Sequence, residues 1–393
     1  MITNPIFDNT EVAFALKTDS ELERAYFLFK MISIQPLVKI GTAATNLAIK
    51  ANLPIEGLIR HTVFDHFCGG VNREDCLPVI NKMFGKGVSS VLDYSVEGKE
   101  NEAEFDSAVQ TILNIIDFAK ERDAIPIAVF KPTAFGRFYI YEKLGRGESL
   151  TEDEFIEWEN VKKRFHKVCS KAKKNDVAVL IDAEESWMQD TADKLIADMM
   201  QKYNIEKPIV FNTLQMYRHD RLQYLKEQHK IAKAKGYYLG YKLVRGAYME
   251  KENERADEKN YKSPICKNKT ATDVNFDAAT TYMLNNLNCM SMFAGTHNED
   301  SSYLIMEQMK EKGILNNDSR VWFGQLYGMS DHISFNLADK GYNVAKYIPF
   351  GPVKDVMPYL IRRAEENTSV AGQTGRELSL ISKEKKRRKL VTK

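Results

Sequence analysis

The sequence predicts a (β/α)8 barrel preceded by a helical segment, and three observations lead to this fold class. Short β-branched or aliphatic runs alternate with longer amphipathic segments, which is typical of parallel βα units buried on both faces. About eight such runs follow residue 85, which is the number that closes a barrel. Polar residues follow the apolar core of most runs, where the active site of such a barrel lies. A doubly wound open sheet is the alternative architecture.

The first 85 residues show helical spacing and little strand character. In the stretch ELERAYFLFKMI, residues 21–32, apolar side chains recur at intervals of three and four, as Leu22, Ala25 and Phe29 do. This spacing predicts an amphipathic helix. We therefore assign residues 1–85 to an N-terminal helical segment packed on the barrel.

The barrel itself is assigned to residues 86–380. Strands are predicted at 88–94, 125–132, 177–185, 208–215, 238–248, 290–298, 320–328 and 344–352. Helices are predicted between them at 102–122, 152–174, 191–203, 220–235, 273–287 and 302–312. Each strand is short and flanked by a longer amphipathic run, so the pattern favours βα units.

Charge is balanced along most of the chain. The sequence holds 56 basic and 54 acidic side chains, a net charge of +2, so no global field favours a nucleic acid or membrane partner. The end of the chain, KEKKRRKLVTK, is dense in cations. We predict that residues 381–393 form a basic, disordered tail, with weak attraction to an anionic membrane face as the alternative.

The cysteines and the first residues of the chain indicate where in the cell the protein is located. Five cysteines, an odd number at scattered positions, do not resemble a disulfide framework and favour a reducing compartment. The start MITNPIFDNTEVAF lacks the features of a signal peptide, and no apolar run is long enough to span a bilayer. We expect a cytoplasmic protein, with peripheral contact with the inner face of the cytoplasmic membrane as an option.

Polar residues at the ends of the predicted strands are the candidate site residues. Because active sites of such barrels lie at the carboxyl ends of the strands, we expect these residues to cluster. They are Lys131, Asp182, Glu184, Glu185, Asn212, Gln215, Arg245, Tyr248, His297, Asn298, Gln325, Tyr327 and Tyr347.

The last apolar helix, in YLIRRAEEN, carries a candidate anion clamp. Four of its residues fall at i, i+3, i+4 and i+7 and so share one face: Tyr359, Arg362, Arg363 and Glu366. Two neighbouring guanidinium groups suit bidentate capture of a carboxylate or phosphate. Lys131 is a third cation, and Asp182 is placed to orient a positive group. A solvated helix face is the alternative for the arginine pair.

Other patterns favour structural roles or exclude kinds of site. Glu184 and Glu185 suit the start of a helix, as does Asn298, and His297 suits an ordinary core position. We predict no metal site, because HTVFDHFCGGVNREDC matches no zinc pattern. No P-loop, GxSxG or GxGxxG motif occurs. Without a visible nucleophile or metal, the anion clamp points to chemistry done by a bound organic cofactor.

Seven blocks of the sequence, in the same order, resemble the proline dehydrogenase family in its standalone form. They are HFCGGVNRED (66–75), LIDAEES (180–186), VFNTLQMY (210–217), KLVRGAYME (242–250), GTHNE (295–299), GQLYGM (324–329) and YIPFGPVKDVMPYLIRRAEEN (347–367). The resemblance implies a distorted (β/α)8 barrel that holds FAD and oxidises L-proline to Δ1-pyrroline-5-carboxylate by hydride transfer to flavin N5. It also implies a membrane quinone as electron acceptor and a separate pyrroline-5-carboxylate dehydrogenase that consumes the product.

The resemblance also implies roles for individual residues. Arg362 and Arg363 would clamp the proline carboxylate with Lys131, and Asp182 would support that cation. The residues packed around the ring would be Tyr248, Leu326, Tyr347 and Tyr359. FAD would be held by Asn212, Gln215, Lys242, Arg245, Gly246, Lys269, Thr296, His297, Asn298, Gln325 and Glu366.

Three positions depart from the bacterial bifunctional members of the family. Those members carry arginine, lysine and tryptophan where this chain has Lys242, Arg245 and Met249, so KLVRGAY is more similar to the eukaryotic branch. Tyr347 favours proline, because related hydroxyproline dehydrogenases lack a tyrosine there. A hydroxyproline or other cyclic imino acid dehydrogenase is the alternative enzyme. A catalytically silent barrel that binds an anionic ligand is the alternative of another class.

Overall fold

The fold is described from a computed structural model. The structure describes residues 5–34, 56–95, 100–369 and 373–390, together with the isolated positions 36, 38 and 41.

Within the described residues, eight parallel strands form one closed barrel in the order β1 to β8. The strands are β1 (Val88–Tyr94), β2 (Ile127–Phe130), β3 (Ala178–Ile181), β4 (Val210–Gln215), β5 (Leu239–Val244), β6 (Met290–Gly295), β7 (Val321–Leu326) and β8 (Val344–Phe350). Each lies inside a predicted strand, so the (β/α)8 fold is confirmed and the open sheet is wrong. β1 pairs with β8 from Val88 opposite Val344 to Tyr94 opposite Phe350.

Helices precede the barrel and alternate with its strands. They are α1 (Thr10–Ala13), α2 (Asp19–Ile32), α3 (Glu56–Ile59), α4 (Asp65–Phe67), α5 (Leu77–Phe84), α6 (Glu102–Lys120), α7 (Phe138–Gly145), α8 (Glu152–Asn175), α9 (Ser186–Tyr203), α10 (Arg221–Lys235), α11 (Met249–Glu258), α12 (Lys269–Leu284), α13 (Glu299–Glu311), α14 (Asp331–Asp339), α15 (Met357–Ser369) and α16 (Gln373–Arg387). A π-helical turn, Arg60–Phe64, joins α3 to α4. None of the helices in the described ranges has the length and apolar character needed to cross a membrane.

Local sequence explains where the elements begin and end. Thr151 is the N-cap residue of helix α8: its side chain accepts from the backbone N–H of Glu154, and the Glu154 carboxylate accepts from the N–H of Thr151. This capping box provides hydrogen-bond acceptors for two N–H groups that have no partner within the helix. The helix ends at Asn175, and the C-cap residue Asp176 has a left-handed φ of 56°. Strand β2, with the sequence IAVF, is buried along its whole length, which explains its unbroken apolar character.

The chain divides into two compact units, residues 1–97 with 325–393 and residues 98–324. This division differs from the predicted boundaries at 85/86 and 380/381. In the first unit the N-terminal helices pack against the end of the chain, with Phe14, Leu22 and Phe29 in one core with Leu380 and Ile381. Contacts between segments so distant in sequence leave no periodic pattern, so the sequence did not indicate them.

The basic end of the chain is more ordered than predicted. Instead of a disordered tail from residue 381, helix α16 continues to Arg387. Lys385 Nζ lies 2.7 Å from a Glu23 carboxylate oxygen, and Arg388 lies 3.0 Å from Asp19. Arg388 also donates to the backbone carbonyl of Phe14 at 2.8 Å. The tail's cations neutralise acids of α2, and an opposite charge that is distant in sequence cannot be inferred from composition.

Deleting residues 383–393 should therefore destabilise the protein. We expect the free energy of unfolding to fall by about 1–3 kcal/mol, because the deletion removes these ion pairs and the hydrogen bonds of Arg388. Urea unfolding measures the change. Lys386→Gln, which changes an exposed cation of the same helix, is the matched control and should behave like the wild type. A truncated chain with the wild-type unfolding midpoint would support a disordered tail.

Candidate active site

In residues 98–324, polar side chains meet at the carboxyl ends of neighbouring strands. Asp182, directly after β3, and Lys242, within β5, form an ion pair of 2.6 Å between Oδ1 and Nζ. Lys242 is only 8% exposed. The sequence predicted that Asp182 orients a cation and, by resemblance, assigned it to Lys131. The structure shows Lys242 as a partner of Asp182, a contact that the sequence did not indicate.

Arg245, directly after β5, joins three elements of the barrel. Its Nε donates to Asp273 of α12 at 2.7 Å, and its terminal nitrogens donate to the hydroxyls of Thr296 and Ser301, each at 2.9 Å. Its guanidinium also lies over the Phe276 ring, 4.6 Å from the centroid. Four contacts fix the orientation of this cation at the strand end.

A second cation shares the carboxylate of Asp273. Lys269, the first residue of α12, places Nζ 2.6 Å from Asp273 Oδ2. Burial alone would raise the pKa of Asp273, but hydrogen bonds from Lys269 and Arg245 hold it below its usual value. Two cations around one carboxylate leave a net positive charge. Such a surface suits an anionic group such as a diphosphate.

The turn after β6 combines a structural and a candidate binding role. Asn298 caps helix α13, because its side chain accepts from the N–H of Ser301 at 2.8 Å. This confirms the prediction that Asn298 suits a helix start. Thr296 Oγ1 accepts from the N–H of Asn298 at 3.1 Å. His297 between them is half-buried.

The two predicted cofactor ligands of β4 have different surroundings. Asn212 donates to Asp193 of α9 at 2.9 Å and accepts from the N–H of Thr213, so its side chain links the strand to a helix. Gln215, at the end of β4, donates to the backbone carbonyl of Glu184 at 2.7 Å. Gln215 thus contacts the turn after β3, at the carboxyl ends of the strands. The Asn212 side chain instead contacts helix α9 on the outside of the barrel strands.

Glu184 makes a contact with the turn after β2 that the sequence did not indicate. The sequence suggested a helix start for both glutamates, and Glu185 is indeed the N-cap residue of α9. Glu184 instead accepts from the N–H of Thr133 at 3.0 Å and from its hydroxyl at 2.7 Å. Burial raises the pKa of Glu184 to about 7, although the charge of Lys131 opposes the shift.

Helix α11, which follows the RGAY turn, is tied down by a buried carboxylate that the sequence did not indicate. Glu252 is fully buried and accepts from the N–H and hydroxyl of Ser186, at 2.7 and 2.6 Å. It thereby satisfies an N–H in the first turn of α9. Tyr248, the N-cap residue of α11, is half-buried. Glu252 therefore helps to fix the turn that carries Tyr248.

The same turn requires a glycine. Gly246 has a φ of 126°, and a Cβ added there would lie 2.6 Å from the ring of Tyr217. Only glycine adopts this backbone conformation without strain. The backbone at 246 and Ala247 are exposed, so this turn can approach a ligand closely.

In the other compact unit, helix α15 carries the predicted clamp. Arg363 is 9% exposed, and its guanidinium lies over the ring of Tyr359, 5.2 Å from the centroid. Arg362 is half-buried. A solvated helix face, the alternative for this pair, does not describe Arg363. The side chain of Glu366 lies outside the described part of the helix, so its role stays a prediction.

The remaining predicted residues of this unit lie in or directly after β7 and β8. Gln325, 2% exposed, accepts from the Ser334 hydroxyl at 2.8 Å. Leu326 is half-buried and Tyr347 is buried. The N–H of Tyr327 donates to the carbonyl of Tyr347 at 2.8 Å, which holds the ends of these strands together.

A buried charge network holds the turn after β7. Asp331 lies 2.8 Å from Lys346 Nζ and 3.2 Å from Lys17 Nζ, and Lys346 is fully buried. Lys346 also donates to the backbone carbonyl of Met329 at 2.6 Å. Burial alone would raise the pKa of Asp331, but the two lysines hold it well below its usual value. This network joins three segments that are distant in sequence, so no local pattern indicates it.

Comparison with known proteins identifies relatives along most of the chain. The family model for proline dehydrogenase matches residues 76–376. A carbapenem antibiotics biosynthesis protein, CarD, of Pectobacterium carotovorum subsp. carotovorum is 33% identical over 333 residues, 85% of this chain and 86% of that protein. Proline dehydrogenase 1, mitochondrial, of Dictyostelium discoideum is 29% identical over 426 residues, 97% of this chain and 74% of the relative.

Solved structures share the fold. Proline utilization A (PutA) from Bdellovibrio bacteriovorus, inactivated by N-propargylglycine, superposes with a TM-score of 0.70 at 19% identity over 93% of this chain. PutA from Bradyrhizobium japonicum gives a TM-score of 0.64 at 20% identity over 79% of the chain. This chain spans 37% and 31% of the length of those proteins. Because the family model covers well over half of the sequence, the chain belongs to the proline dehydrogenase family.

Proposed function

We propose that this protein oxidises L-proline to Δ1-pyrroline-5-carboxylate with the help of bound FAD. The observation that carries the proposal is Arg363, a guanidinium buried against Tyr359 on the helix where the family resemblance expects the carboxylate clamp. A buried guanidinium has a strong tendency to bind a planar anion through two hydrogen bonds. Proline presents such an anion in its carboxylate.

The chemistry of the predicted cofactor-binding residues suits FAD. Arg245 and Lys269 leave a net positive charge around Asp273, which suits the diphosphate. Gln215, Lys242 and Thr296 are buried polar groups at neighbouring strand ends, which suits the hydrogen-bonding edge of a flavin ring. His297 and the turn at Gly246 complete the proposed set on this side, and Gln325 and Glu366 belong to the other unit. When bound, FAD supplies the acceptor for the hydride that leaves the ring carbon beside nitrogen.

The protein's own share is binding, orientation and exclusion of water. Arg362, Arg363 and Lys131 hold the carboxylate, so that the ring is presented in one orientation. The aromatic rings of Tyr248, Tyr347 and Tyr359 and the side chain of Leu326 cover the pyrrolidine ring and exclude water. The electrons pass on to a membrane quinone, and a separate dehydrogenase oxidises the pyrroline carboxylate.

The visible absorption spectrum of the purified protein tests this function. We expect a flavin band that bleaches on anaerobic addition of L-proline and much less on addition of hydroxyproline. A flavin band unaffected by proline would support FAD as the cofactor but reject proline as the substrate. A folded protein that neither contains nor takes up FAD would reject the proposed cofactor and favour a catalytically silent barrel.

Hydroxyproline is the second candidate substrate, and a substrate panel separates the two. Tyr347, which is 5% exposed in β8, is the residue that by resemblance distinguishes proline dehydrogenases from hydroxyproline dehydrogenases. We expect kcat/KM to be higher for proline than for hydroxyproline. The reverse order would reassign the protein to hydroxyproline or a related cyclic imino acid.

Gly246→Ala should reduce FAD retention. The substitution places a methyl group 2.6 Å from the Tyr217 ring at a φ of 126°, so the turn must shift. We expect the flavin content of the purified protein to fall severalfold, measured as absorbance per chain. Gly236→Ala is the matched control, because Gly236 also has a positive φ of 73° but has no heavy atom within 4 Å of an added Cβ. Equal flavin loss in both variants would contradict a specific role for Gly246.

A further inference from the structure

Glu184 is a buried acid that the proposed mechanism does not use. Both of its carboxylate oxygens are engaged by Thr133, one by the N–H at 3.0 Å and one by the hydroxyl at 2.7 Å. Thr133 lies two residues after Lys131, in the 3-10 turn Pro132–Ala134. The carboxylate therefore holds the turn that begins at the proposed substrate cation.

The backbone of Glu184 is fixed from two further elements. Its N–H donates to the side-chain carbonyl of Gln189 in α9 at 2.8 Å, and its carbonyl accepts from Gln215 of β4 at 2.7 Å. Glu184 is 7% exposed, so it has little room to turn away from Thr133. Its position relative to the turn is thus set by three elements.

Titratable groups of three elements act electrostatically on the Glu184 carboxylate within the described residues. They are Lys131 after β2, Tyr141 of α7 and Glu185 at the start of α9. Lys131 favours the ionised form, whereas Glu185 and burial disfavour it. Tyr141 hydrogen-bonds to the carbonyl of Pro132 at 2.9 Å, which holds the same turn from its other side.

We propose that Glu184 is a positioning residue that acts through Lys131, and that binding of the substrate carboxylate at Lys131 is coupled to uptake of a proton by Glu184. The proposal rests on the proposed function, since it requires a carboxylate substrate. An incoming carboxylate shares the charge of Lys131 and adds negative charge near Glu184. Both effects favour the neutral form of Glu184.

The direction of the pH dependence follows from this coupling. Burial raises the pKa of Glu184 to about 7, so near neutral pH the acid is partly ionised. Below this pH Glu184 is neutral and does not compete with the substrate carboxylate for the charge of Lys131. As the pH rises through this value, Glu184 ionises and competes for Lys131, so carboxylate affinity falls. Each unit by which the ligand raises the pKa of Glu184 corresponds to about a tenfold loss of affinity at high pH.

Calorimetric titration of the FAD-loaded protein with cyclopentanecarboxylate tests the proposal. This anion has the ring and carboxylate of proline but no amine, so it cannot be oxidised and no amine proton complicates the result. Titrations near pH 7 in buffers of different ionisation enthalpy give the number of protons taken up. We expect uptake of a fraction of a proton by the wild type and close to none by Glu184→Gln. Between about pH 6 and 8.5, the wild-type Kd should rise about tenfold, and that of Glu184→Gln should stay nearly constant.

Glu157→Gln is the matched control. Glu157 lies on α8 and pairs with Arg137 at 2.7 Å, and it is not one of the groups that act on the Glu184 carboxylate, so this variant should keep the wild-type proton uptake. Uptake that is the same in Glu184→Gln and the wild type would overturn the inference while leaving the proposed function intact. Absence of binding at every pH would instead contradict the proposed function.

A second measurement tests the proposal even if the Glu184→Gln variant does not fold. The infrared band of a protonated carboxylic acid should grow in the wild type when cyclopentanecarboxylate is added near pH 7, and it should grow equally in Glu157→Gln. Failure of that band to grow in protein that binds the ligand would overturn the proposal.

Discussion

Arg363→Met is expected to raise the KM for proline strongly and to lower kcat/KM by about 30- to 1,000-fold. Arg363 is buried over the Tyr359 ring, and methionine retains the apolar stem but removes the charged donors. A carboxylate that loses a buried, charge-assisted partner loses about 2–4 kcal/mol of binding, which corresponds to this range. Steady-state kinetics with an artificial dye as electron acceptor measures the change.

Two further variants make this test specific. Arg363→Lys keeps the charge but loses the planar fork of donors, so its kcat/KM should fall between those of the wild type and Arg363→Met. Arg73→Met removes an arginine that pairs with Glu74 on the surface and should leave the kinetics unchanged. A wild-type KM in Arg363→Met would reject the clamp.

Asp331→Asn is expected to lower the free energy of unfolding by about 3–5 kcal/mol. The substitution removes the partner of Lys346, which is fully buried, and of Lys17. An uncompensated buried charge has a cost of this size. Urea unfolding at neutral pH measures it. Because the lysines hold the pKa of Asp331 well below its usual value, its contribution is complete above pH 5 and is lost only as the pH falls through that lowered pKa. The difference between variant and wild type should therefore be constant from about pH 5 to 8.

Two comparisons separate the buried network from ordinary surface pairs. Asp318→Asn removes a carboxylate that pairs with Arg320, whose side chain is 45% exposed, and should cost about 1 kcal/mol or less. The double variant Asp331→Leu with Lys346→Met removes charge on both sides and should recover part of the lost stability. If Asp331→Asn unfolds like Asp318→Asn, the network is not a main source of stability.

The barrel could be predicted from the sequence because strand and helix periodicity are local properties. The apolar runs at 88–94 and 344–352 showed where β1 and β8 lie, although the pairing of β1 with β8 joins residues far apart in the chain. The predicted strand at 177–185 was too long, because β3 ends at Ile181 and the acids after it belong to the strand-end turn. Polar residues after an apolar core mark the end of a strand only approximately.

The sequence predicted which residues belong to the candidate site. It did not predict which of their side chains contact one another. The burial of Arg363 fits the apolar neighbours that surround it in the sequence. The pairing of Asp182 with Lys242 and the contact of Glu184 with Thr133 join elements that have no local spacing in common. No periodicity within either segment could have indicated these partners.

The sequence by itself determined the order of strands and helices, the strand-end positions of the polar residues and the arginine pair of the last barrel helix. These features depend on side-chain periodicity and on the residue types found next to one another along the chain, and both can be read from the sequence. Only the tertiary structure decided which charges neutralise one another, as in the pairing of Arg388 with Asp19 and of Lys346 with Asp331. Ion pairs depend on distances in space, and burial determines the strength of each pair, so neither can be read from a linear pattern.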